Sequence, residues 1–237
     1  MMAEKPRYKR PKGFSAKAGL LIENSGIPVE YSVKFDVMSL VGRTFFNRKP
    51  RKANEYCNLG AGPRYLQGYC NADFFTFNVL RTMLGKPRQH TDWEVDLRCR
   101  LNCNNDFFEG VLIEHTLEHL AVKDGLNLMR EMRRIIRPGG RLRVSVPDLR
   151  KYIQFYNGEL PHGKFSNWAE TPSEAIWSLA YNFGHHSIYD YHLMEKLLKS
   201  AGFSNVRECE FNASDDMHLQ IDDPGRRWES LYVEAEA

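Results

Sequence analysis

Residues 56–75 read YCNLGAGPRYLQGYCNADFF, two short apolar runs with a glycine-containing turn between them. The first run predicts a strand that ends at Gly60 and Gly62. Glycine at such a turn lets the backbone bend tightly and approach a ligand with no Cβ in the way. The second run ends at Asp73, whose carboxylate can accept hydrogen bonds from both hydroxyls of a ribose. The stretch therefore predicts the first two strands of an α/β sheet and a nucleoside-binding turn.

The spacing of this turn argues against a dinucleotide ligand. A dinucleotide fingerprint has a third glycine and an acid about 20 residues further on, whereas Asp73 follows Gly62 by 11 residues. Pro63 also removes a backbone N–H where a pyrophosphate would need donors. Asp96, at the end of the predicted third strand, is placed to face an adenine amine. For both aspartates the alternative is a turn or capping residue.

The rest of the chain alternates between strand and helix patterns. Strands are predicted at 55–62, 68–75, 91–97, 108–115, 141–148, 205–211 and 229–237, and helices at 117–140 and 191–203. In the first helix Leu128, Met129, Met132, Ile135 and Ile136 form one apolar stripe, and Pro138 with Gly139–Gly140 is expected to end it. This order predicts a Rossmann-like, seven-stranded, mostly parallel sheet with an antiparallel edge strand and helices on both faces.

An aromatic segment separates the fifth strand from the late helix. Residues 150–192 contain ten of the 29 aromatic residues: Tyr152, Phe155, Tyr156, Phe165, Trp168, Trp177, Tyr181, Phe183, Tyr189 and Tyr191. They could form the core of a small helical cap or line a pocket for a small molecule. We favour a small helical aromatic lid over such a pocket.

Composition and charge bound the classes of protein. No apolar run reaches the roughly 18 residues that span a membrane, and five scattered cysteines indicate reduced thiols in a cytoplasmic protein. Residues 1–54 carry 12 Lys/Arg and 4 Asp/Glu, a balance of +8, against −5 for residues 55–237. We interpret residues 1–54 as a basic, solvated extension with a weak attraction to anionic surfaces, and residues 55–237 as the folded domain. No nucleic-acid signature accompanies the charge.

Four segments together resemble a known family: YCNLGAGPRYLQGYCNADFF, VDL, IEHTLEHL and LMREMRRIIRPGGRLRVSVPDL. They are similar to class I S-adenosylmethionine-dependent methyltransferases, and most to the type-11 group often associated with polysaccharide or surface-glycan synthesis. The match covers residues 55–150 and the C-terminal end. The resemblance therefore implies a methyltransferase domain over residues 55–237, with a substrate lid inserted at about 150–192. The first helix of that family is abridged here, because only PRYLQG separates the glycine turn from the second strand.

The resemblance implies S-adenosyl-L-methionine as cofactor and assigns its contacts. Leu59, Gly60, Ala61 and Gly62 would line its methionine and ribose part, Asp73 the ribose, and Asp96 and Leu97 the adenine. Glu114 and His115 would lie under the methionine or the reactive methyl group.

A methyl group on a sulfonium is already activated, so catalysis is mainly alignment of the acceptor with water kept out. A hydroxyl acceptor must also lose a proton, for which histidine is the usual base at neutral pH. The candidate bases are His185, His186, His115 and Asp148. We therefore predict a methyltransferase, with a hydroxyl on a small molecule or sugar-containing glycan precursor as acceptor.

Three alternatives stay open. One is a catalytically silent cofactor-binding partner of another enzyme, and another is a nicotinamide dehydrogenase, which the glycine spacing disfavours. The third is a zinc hydrolase, because His115, Glu118 and His119 fit the pattern H-x-x-E-H. Its context argues against it, because the motif follows a buried strand and no flanking helix offers an obvious third ligand. A separate zinc site at Cys99 and Cys103 is also disfavoured, because these cysteines have no second pair of ligands. The sequence predicts no metal site and leaves the oligomeric state open.

Overall fold

The computed structural model describes residues 31–51, 54–160, 164–165 and 169–237. Its strands are β1 (Tyr56–Leu59), β2 (Cys70–Asp73), β3 (Trp93–Glu94), β4 (Phe108–Glu114), β5 (Ile136–Pro147), β6 (Ser204–Cys209) and β7 (Ser230–Glu236). Its helices are α1 (Val33–Phe45), α2 (Asn78–Met83), α3 (Val122–Ile135), α4 (Leu149–Tyr156), α5 (Pro172–Tyr181) and α6 (Tyr191–Ser200). Single 3₁₀ turns lie at Leu117–His119 and Met217–Leu219.

The seven strands form one sheet in the order β3-β2-β1-β4-β5-β7-β6. β1 to β5 pair in parallel, and β7 runs antiparallel to both of its neighbours, β5 and β6. This confirms the predicted Rossmann-like sheet with its antiparallel edge. The strand order reverses between β1 and β4, and in open α/β sheets ligands bind beyond the carboxyl ends of the strands at this reversal.

The core lies between the sheet and its helices. Leu128, Met129, Met132 and Ile135 of α3 are fully or almost fully buried, as the stripe predicts. The predicted helix bounds were wrong at both ends. The α-helix begins at Val122, after a separate 3₁₀ turn, and it ends at Ile135, because Ile136 already pairs with Phe108 as the first residue of β5.

The connection from β1 to β2 contains only turns, in agreement with the abridged first helix. Two buried asparagines hold it in place of a helix. Asn71 exchanges hydrogen bonds of 2.8 Å in both directions with the backbone of Leu66, and Asn58 donates to the carbonyl of Arg64 at 2.8 Å. Backbone groups of a loop that lies against a sheet need such partners, so the side chains fix its path.

Helix α1, which the sequence interpretation placed in a solvated extension, packs on the carboxyl edge of the sheet. The hydroxyl of Ser32 caps it by accepting from the N–H of Phe35 at 3.2 Å. Gly42 lies against Phe75 so closely that a Cβ there would sit 2.2 Å from the ring. The boundary at residue 54 stays a prediction, and residues 4–12, the first basic cluster, lie outside the described residues.

The aromatic segment forms a second, smaller core beside the main one. Its buried members are Tyr152, Phe155, Phe165, Ala169, Ala175 and Leu179. Tyr189 and Tyr191 belong to the main core instead, and Trp168 lies outside the described residues. Among the described residues, no helix is long and apolar enough to cross a membrane.

Candidate functional site

The two glycines of the turn after β1 are required for different reasons. Both have left-handed backbones, with φ of 75° at Gly60 and 53° at Gly62. A Cβ at Gly60 would lie 2.4 Å from the hydroxyl oxygen of Thr116, which follows β4. A Cβ at Gly62 would meet no described atom within 4 Å and would point into open space. Gly60 therefore permits close packing between two loops, whereas Gly62 keeps a space open.

Asp73 holds the glycine turn and lines a groove. Its Oδ2 accepts from the N–H of Gly62 and its Oδ1 from the N–H of Phe74, each at 2.6 Å. Burial raises the pKa of Asp73, although these two backbone N–H groups oppose the shift. The groove has a volume of about 390 Å³, and Gly62, Asp73, Phe74 and Phe77 line it together with side chains of α1 and α2.

Asp96 is buried and its carboxylate is bound within the protein. Its Oδ2 accepts from the hydroxyl of Ser39 in α1 at 2.5 Å and from the guanidinium of Arg98 at 2.9 Å. Burial alone would raise the pKa of Asp96, but Arg98 and Ser39 outweigh it and lower the pKa. Leu97 packs against the main core. Asp96, which the sequence placed at the end of the third strand, lies in the turn after β3 and fastens α1 to the sheet.

Glu114, the last residue of β4, is also engaged. It forms an ion pair with Arg64, and its Oε1 accepts from the N–H of Asp223 at 2.9 Å. Arg64 donates in addition to the carbonyl of Ile221. Glu114 thereby joins the loop after β1 to the segment before β7.

A cavity of about 560 Å³ lies beyond the carboxyl ends of β4 and β5. Its walls come from the 3₁₀ turn Leu117–His119, from the helical unit of α4 and α5, and from the segment before β7. The lining residues are His115, Glu118, His119, Pro147, Tyr152, Ser178, Leu179, Phe183, His185, Arg226, Trp228 and Glu229. Aromatic walls with a few converging polar groups are typical of small-molecule sites.

His115 occupies a strained position at the floor of this cavity. Its backbone is left-handed, with φ of 43°, a conformation that non-glycine residues adopt mostly at functional sites or turns. Its Nε2 lies 2.7 Å from the hydroxyl of Ser230, and its Nδ1 lies 3.3 Å from Oε1 of Glu118. Both ring nitrogens are therefore held by protein groups.

The pair His185–His186 is split by the fold. His185 lines the cavity, and its Nδ1 lies 2.8 Å from the carbonyl of Leu179. Because a carbonyl only accepts, Nδ1 carries the proton and Nε2 keeps its lone pair. Burial lowers the pKa of His185, against the opposing effect of Glu118. The exposed His186 lies outside the cavity lining, with its ring 4.3 Å from that of Tyr31.

Asp148 is not among the residues that line the cavity. Its carboxylate caps α4 by accepting from the N–H of Arg150 at 3.0 Å, and it also pairs with the Arg150 guanidinium at 3.1 Å. The structure thus brings His115 and His185 together at one cavity and leaves His186 and Asp148 outside its lining.

Glu118 and His119 each place a buried polar atom in the cavity that lacks a hydrogen-bond partner among the described residues. Glu118 is 1% exposed, and neither its Oε2 nor Nδ1 of His119 has a hydrogen-bond partner among the described residues. Burial would raise the pKa of Glu118, but the hydrogen bond with His115 and the nearby His119 and His185 outweigh it and lower the pKa. Glu118 is therefore a buried carboxylate.

The H-x-x-E-H alternative requires both histidines on one face of a helix. Residues 117–119 instead form a single 3₁₀ turn, and His115 precedes it with a left-handed backbone. Glu118 and His119 do come together with a third potential ligand, His185, from a distant segment. That grouping differs from the motif and was not foreseen from the sequence.

Sequence reasoning also missed the contribution of the segment before β7. Glu229 accepts from the hydroxyl of Tyr152 at 2.8 Å and pairs with Arg226 at 2.9 Å, and all three residues line the cavity. The charged run in GRRWES was the available signal, but nothing local connects it to the aromatic segment.

Most of the chain is similar to a known protein family. Residues 37–208 match a family model described as a methyltransferase domain. None of the curated proteins matches the chain in sequence.

The solved structures to which this chain is similar include the following three. One is an S-adenosylmethionine-dependent methyltransferase of Mesorhizobium loti (16% identity, 88% of this chain and 99% of that chain covered, TM-score 0.44). Another is a SAM-dependent methyltransferase from Archaeoglobus fulgidus (14% identity, 85% of this chain and 94% of that chain covered, TM-score 0.46). A third is PigF with SAH (14% identity, 92% of this chain and 63% of that chain covered, TM-score 0.44). Since the family model spans well over half of the 237 residues, the chain belongs to the methyltransferase domain family.

Proposed function

We propose that this protein transfers a methyl group from S-adenosylmethionine to a hydroxyl of a small molecule or glycan precursor bound in the cavity at β4 and β5. One observation carries the choice of a hydroxyl acceptor. His185 lines the cavity with its Nδ1 proton donated to the carbonyl of Leu179, which leaves Nε2 able to accept a proton.

The residues of the first two strands fit the cofactor. Gly62 leaves space where any side chain would intrude, and Asp73 places a carboxylate beside it in the groove. Each Asp73 oxygen uses one lone pair on a backbone N–H and keeps another for a ribose hydroxyl. Leu59, Gly60 and Ala61 would form the wall behind the methionine part.

The expected contacts at Asp96 and Glu114 are less direct. Asp96 is bound to Ser39 and Arg98, so Leu97 and the backbone of this turn are left to contact the adenine. Glu114 is neutralised by Arg64, and this pair would lie beneath the amino-acid part of the cofactor. We propose that both acids position loops around the cofactor.

Bound S-adenosylmethionine supplies a methyl group that is already activated on a sulfonium. The protein then has to align the acceptor, exclude water and accept the hydroxyl proton. We assign the proton to Nε2 of His185, because burial lowers the pKa of this imidazole and keeps it neutral near pH 7. His115 is the second candidate, but both of its nitrogens already have partners.

The chemistry of the cavity walls supports a hydroxylated, ring-containing acceptor. Tyr152, Phe183 and Trp228 offer aromatic faces, and Arg226 and Glu229 offer a donor and an acceptor for hydroxyl groups. Sugar rings combine apolar faces with peripheral hydroxyls and match such a lining. We propose that α4 and α5 act as the lid over this acceptor.

A screen for acceptors tests this function. The protein is incubated with S-adenosylmethionine carrying a labelled methyl group and, separately, with nucleotide sugars, other hydroxylated metabolites and amine acceptors of similar size. Transfer of label to a hydroxyl compound supports the proposal, and exclusive transfer to amines would overturn it. Binding of S-adenosylhomocysteine without any transfer would favour the silent partner protein instead.

A further inference from the structure

We propose that Glu118, His119 and His185 bind one divalent transition-metal ion of the zinc class at the floor of the cavity. Each residue offers a ligand atom, and these atoms lie within 4.8 Å of one another. The set combines a carboxylate with two imidazoles, as in the three-ligand sites of catalytic zinc proteins. The proposal does not rest on methyl transfer, since its test measures binding alone.

Two unsatisfied buried atoms point to a missing partner. Buried polar atoms in folded proteins are almost always hydrogen-bonded, and each exception needs an explanation. Here Oε2 of Glu118 and Nδ1 of His119 both lack a hydrogen-bond partner among the described residues, and they belong to adjacent residues of one cavity. A cation between them would satisfy both atoms at once.

The buried charge of Glu118 points the same way. A buried carboxylate is normally paired with a cation or bound to a metal. Glu118 contacts His115 through Oε1 at 3.3 Å, and no Lys or Arg pairs with it among the described ion pairs. Arg226, which shares the cavity, is engaged by Glu229 at 2.9 Å. A divalent ion would compensate the charge of Glu118.

The hydrogen bond of His185 suits a metal ligand. Its Nδ1 donates to the carbonyl of Leu179 at 2.8 Å, which leaves the lone pair on Nε2 for a metal ion. A second hydrogen bond of this kind fixes the tautomer and ring orientation of a metal-binding histidine.

The geometry requires a modest contraction. Bonds of about 2.0–2.1 Å in a tetrahedral zinc site place ligand atoms about 3.3 Å apart. The three side chains must therefore draw together by at most about 1.5 Å from a separation within 4.8 Å. His185 reaches the site from a chain segment that is anchored there, because the N–H groups of His186 and Ser187 both donate to the carbonyl of Glu118.

Three protein ligands leave a coordination position on the side of the cavity, where water or an acceptor oxygen can bind. Histidine ligands favour zinc-class ions over Mg²⁺ and Ca²⁺, which prefer oxygen ligands. The ion would use the same lone pair of His185 that we assign to the acceptor proton. Metal binding and proton acceptance by His185 therefore exclude each other at any one time.

The test uses the full chain with metal ions alone. After removal of metals by a chelator, Zn²⁺ binding is followed by calorimetry and Co²⁺ binding by its visible absorption spectrum. We expect one ion per chain, a Co²⁺ spectrum of tetrahedral type, and no comparable binding of Mg²⁺. Absence of Zn²⁺ binding, or equal affinity for Mg²⁺, would overturn the proposal.

Variants connect the binding to these residues. Glu118→Gln, His119→Ala and His185→Ala should each weaken Zn²⁺ binding about tenfold or more, since even losing a partner of a ligand costs about 10–100-fold. His186→Ala is the matched control and should bind as the wild type does, because its ring lies against Tyr31. If Glu118→Gln fails to fold, the partly exposed His185 carries the test. Unchanged Zn²⁺ affinity in a folded His185→Ala protein would refute the assignment.

Discussion

The hydroxyl of Ser39 donates a 2.5 Å hydrogen bond to the carboxylate of Asp96, 57 residues further along the chain. The contact is buried and fastens α1 to the turn after β3, where Arg98 completes the arrangement. Helix α1 is therefore fastened to the sheet by a buried contact.

Replacing Ser39 with alanine should destabilise the protein. A hydrogen bond to a charged group contributes about 1.5–3 kcal/mol, so Ser39→Ala should lower the free energy of unfolding by about that amount. Thr44→Ala is the matched control, since Thr44 is exposed on the same helix and its hydroxyl donates to the carbonyl of Leu40. Urea unfolding measures both. Equal stability of the two variants would mean that the Ser39 contact does not fasten α1.

Asp73 is expected to contribute to cofactor affinity. Asp73→Ala should weaken binding of S-adenosylhomocysteine by about 1.5–3 kcal/mol, or roughly 10- to 150-fold, because it removes charged hydrogen bonds to the ribose. Calorimetric titration measures this, with Asp106→Asn as a control at an exposed site away from the groove. An unchanged dissociation constant in a folded Asp73→Ala protein would remove Asp73 from the site.

The two glycines should fail in different ways. Gly62→Val should abolish cofactor binding while thermal unfolding stays cooperative, because the side chain would enter the open groove. Gly60→Ala should lower the melting temperature, because its Cβ would collide with Thr116.

Gly68→Val separates backbone strain from obstruction of the groove. Gly68 also has a left-handed backbone, with φ of 86°, and open space around it, but it does not line the groove. A left-handed conformation costs an ordinary residue about 1–2 kcal/mol at either position. If Gly62→Val and Gly68→Val bind S-adenosylhomocysteine equally well, Gly62 does not face the cofactor.

The sheet was predictable because its strands are local apolar runs. Val111, Leu112 and Ile113 of β4 are completely buried, and the stripe of α3 follows the helical period. The glycine turn and the acid at the end of β2 could also be found, because turn chemistry depends on neighbouring residues.

Helix α1 could not be predicted, because its pattern is misleading. Its buried residues are Ser39 and Gly42, whereas Val33 and Leu40 are 80% and 60% exposed. Hydrophobic periodicity therefore indicates the wrong face, and the packing depends on Asp96 and Phe75 from distant segments.

The cavity was only partly predictable for the same reason. His115 and His185 were candidates by residue type, but their grouping with Glu118 depends on backbone hydrogen bonds between residues 186–187 and 118. Neighbouring His185 and His186 could not be told apart until the fold directed one ring to the cavity and the other to Tyr31.

Burial of His185 should make stability depend on pH. Its folded pKa lies below the ordinary value of 6.5, so between these two values the unfolded chain binds more protons than the folded protein. The free energy of unfolding should therefore rise with pH across this window, and fall as the solution is acidified below about 6.5.

Comparing wild type with His185→Gln in urea unfolding at several pH values isolates this effect. The variant should lose the part of the pH dependence of unfolding that comes from His185. Glu118, His119 and Glu229, the groups that act on this imidazole, are all still present in the variant. Glu118 acts in the same direction at lower pH, because its own pKa is lowered and its contribution is lost only on strong acidification. Identical slopes above the range of Glu118 would show that His185 titrates normally.

The decisive variant for the proposed chemistry is His185→Ala. With a methyl acceptor in hand and a chelator present to keep the imidazole free of metal, kcat should fall by roughly 10²–10⁴, the usual contribution of a general base. Cofactor affinity should change by less than about threefold, because the interaction is made mainly in the transition state. His192→Ala is the matched control, since His192 is exposed on α6 and does not line the cavity.

If His185→Ala turns over at the wild-type rate, His115 is the next base to replace. If that variant is also unaffected, the acceptor is already nucleophilic, and alignment alone carries the reaction.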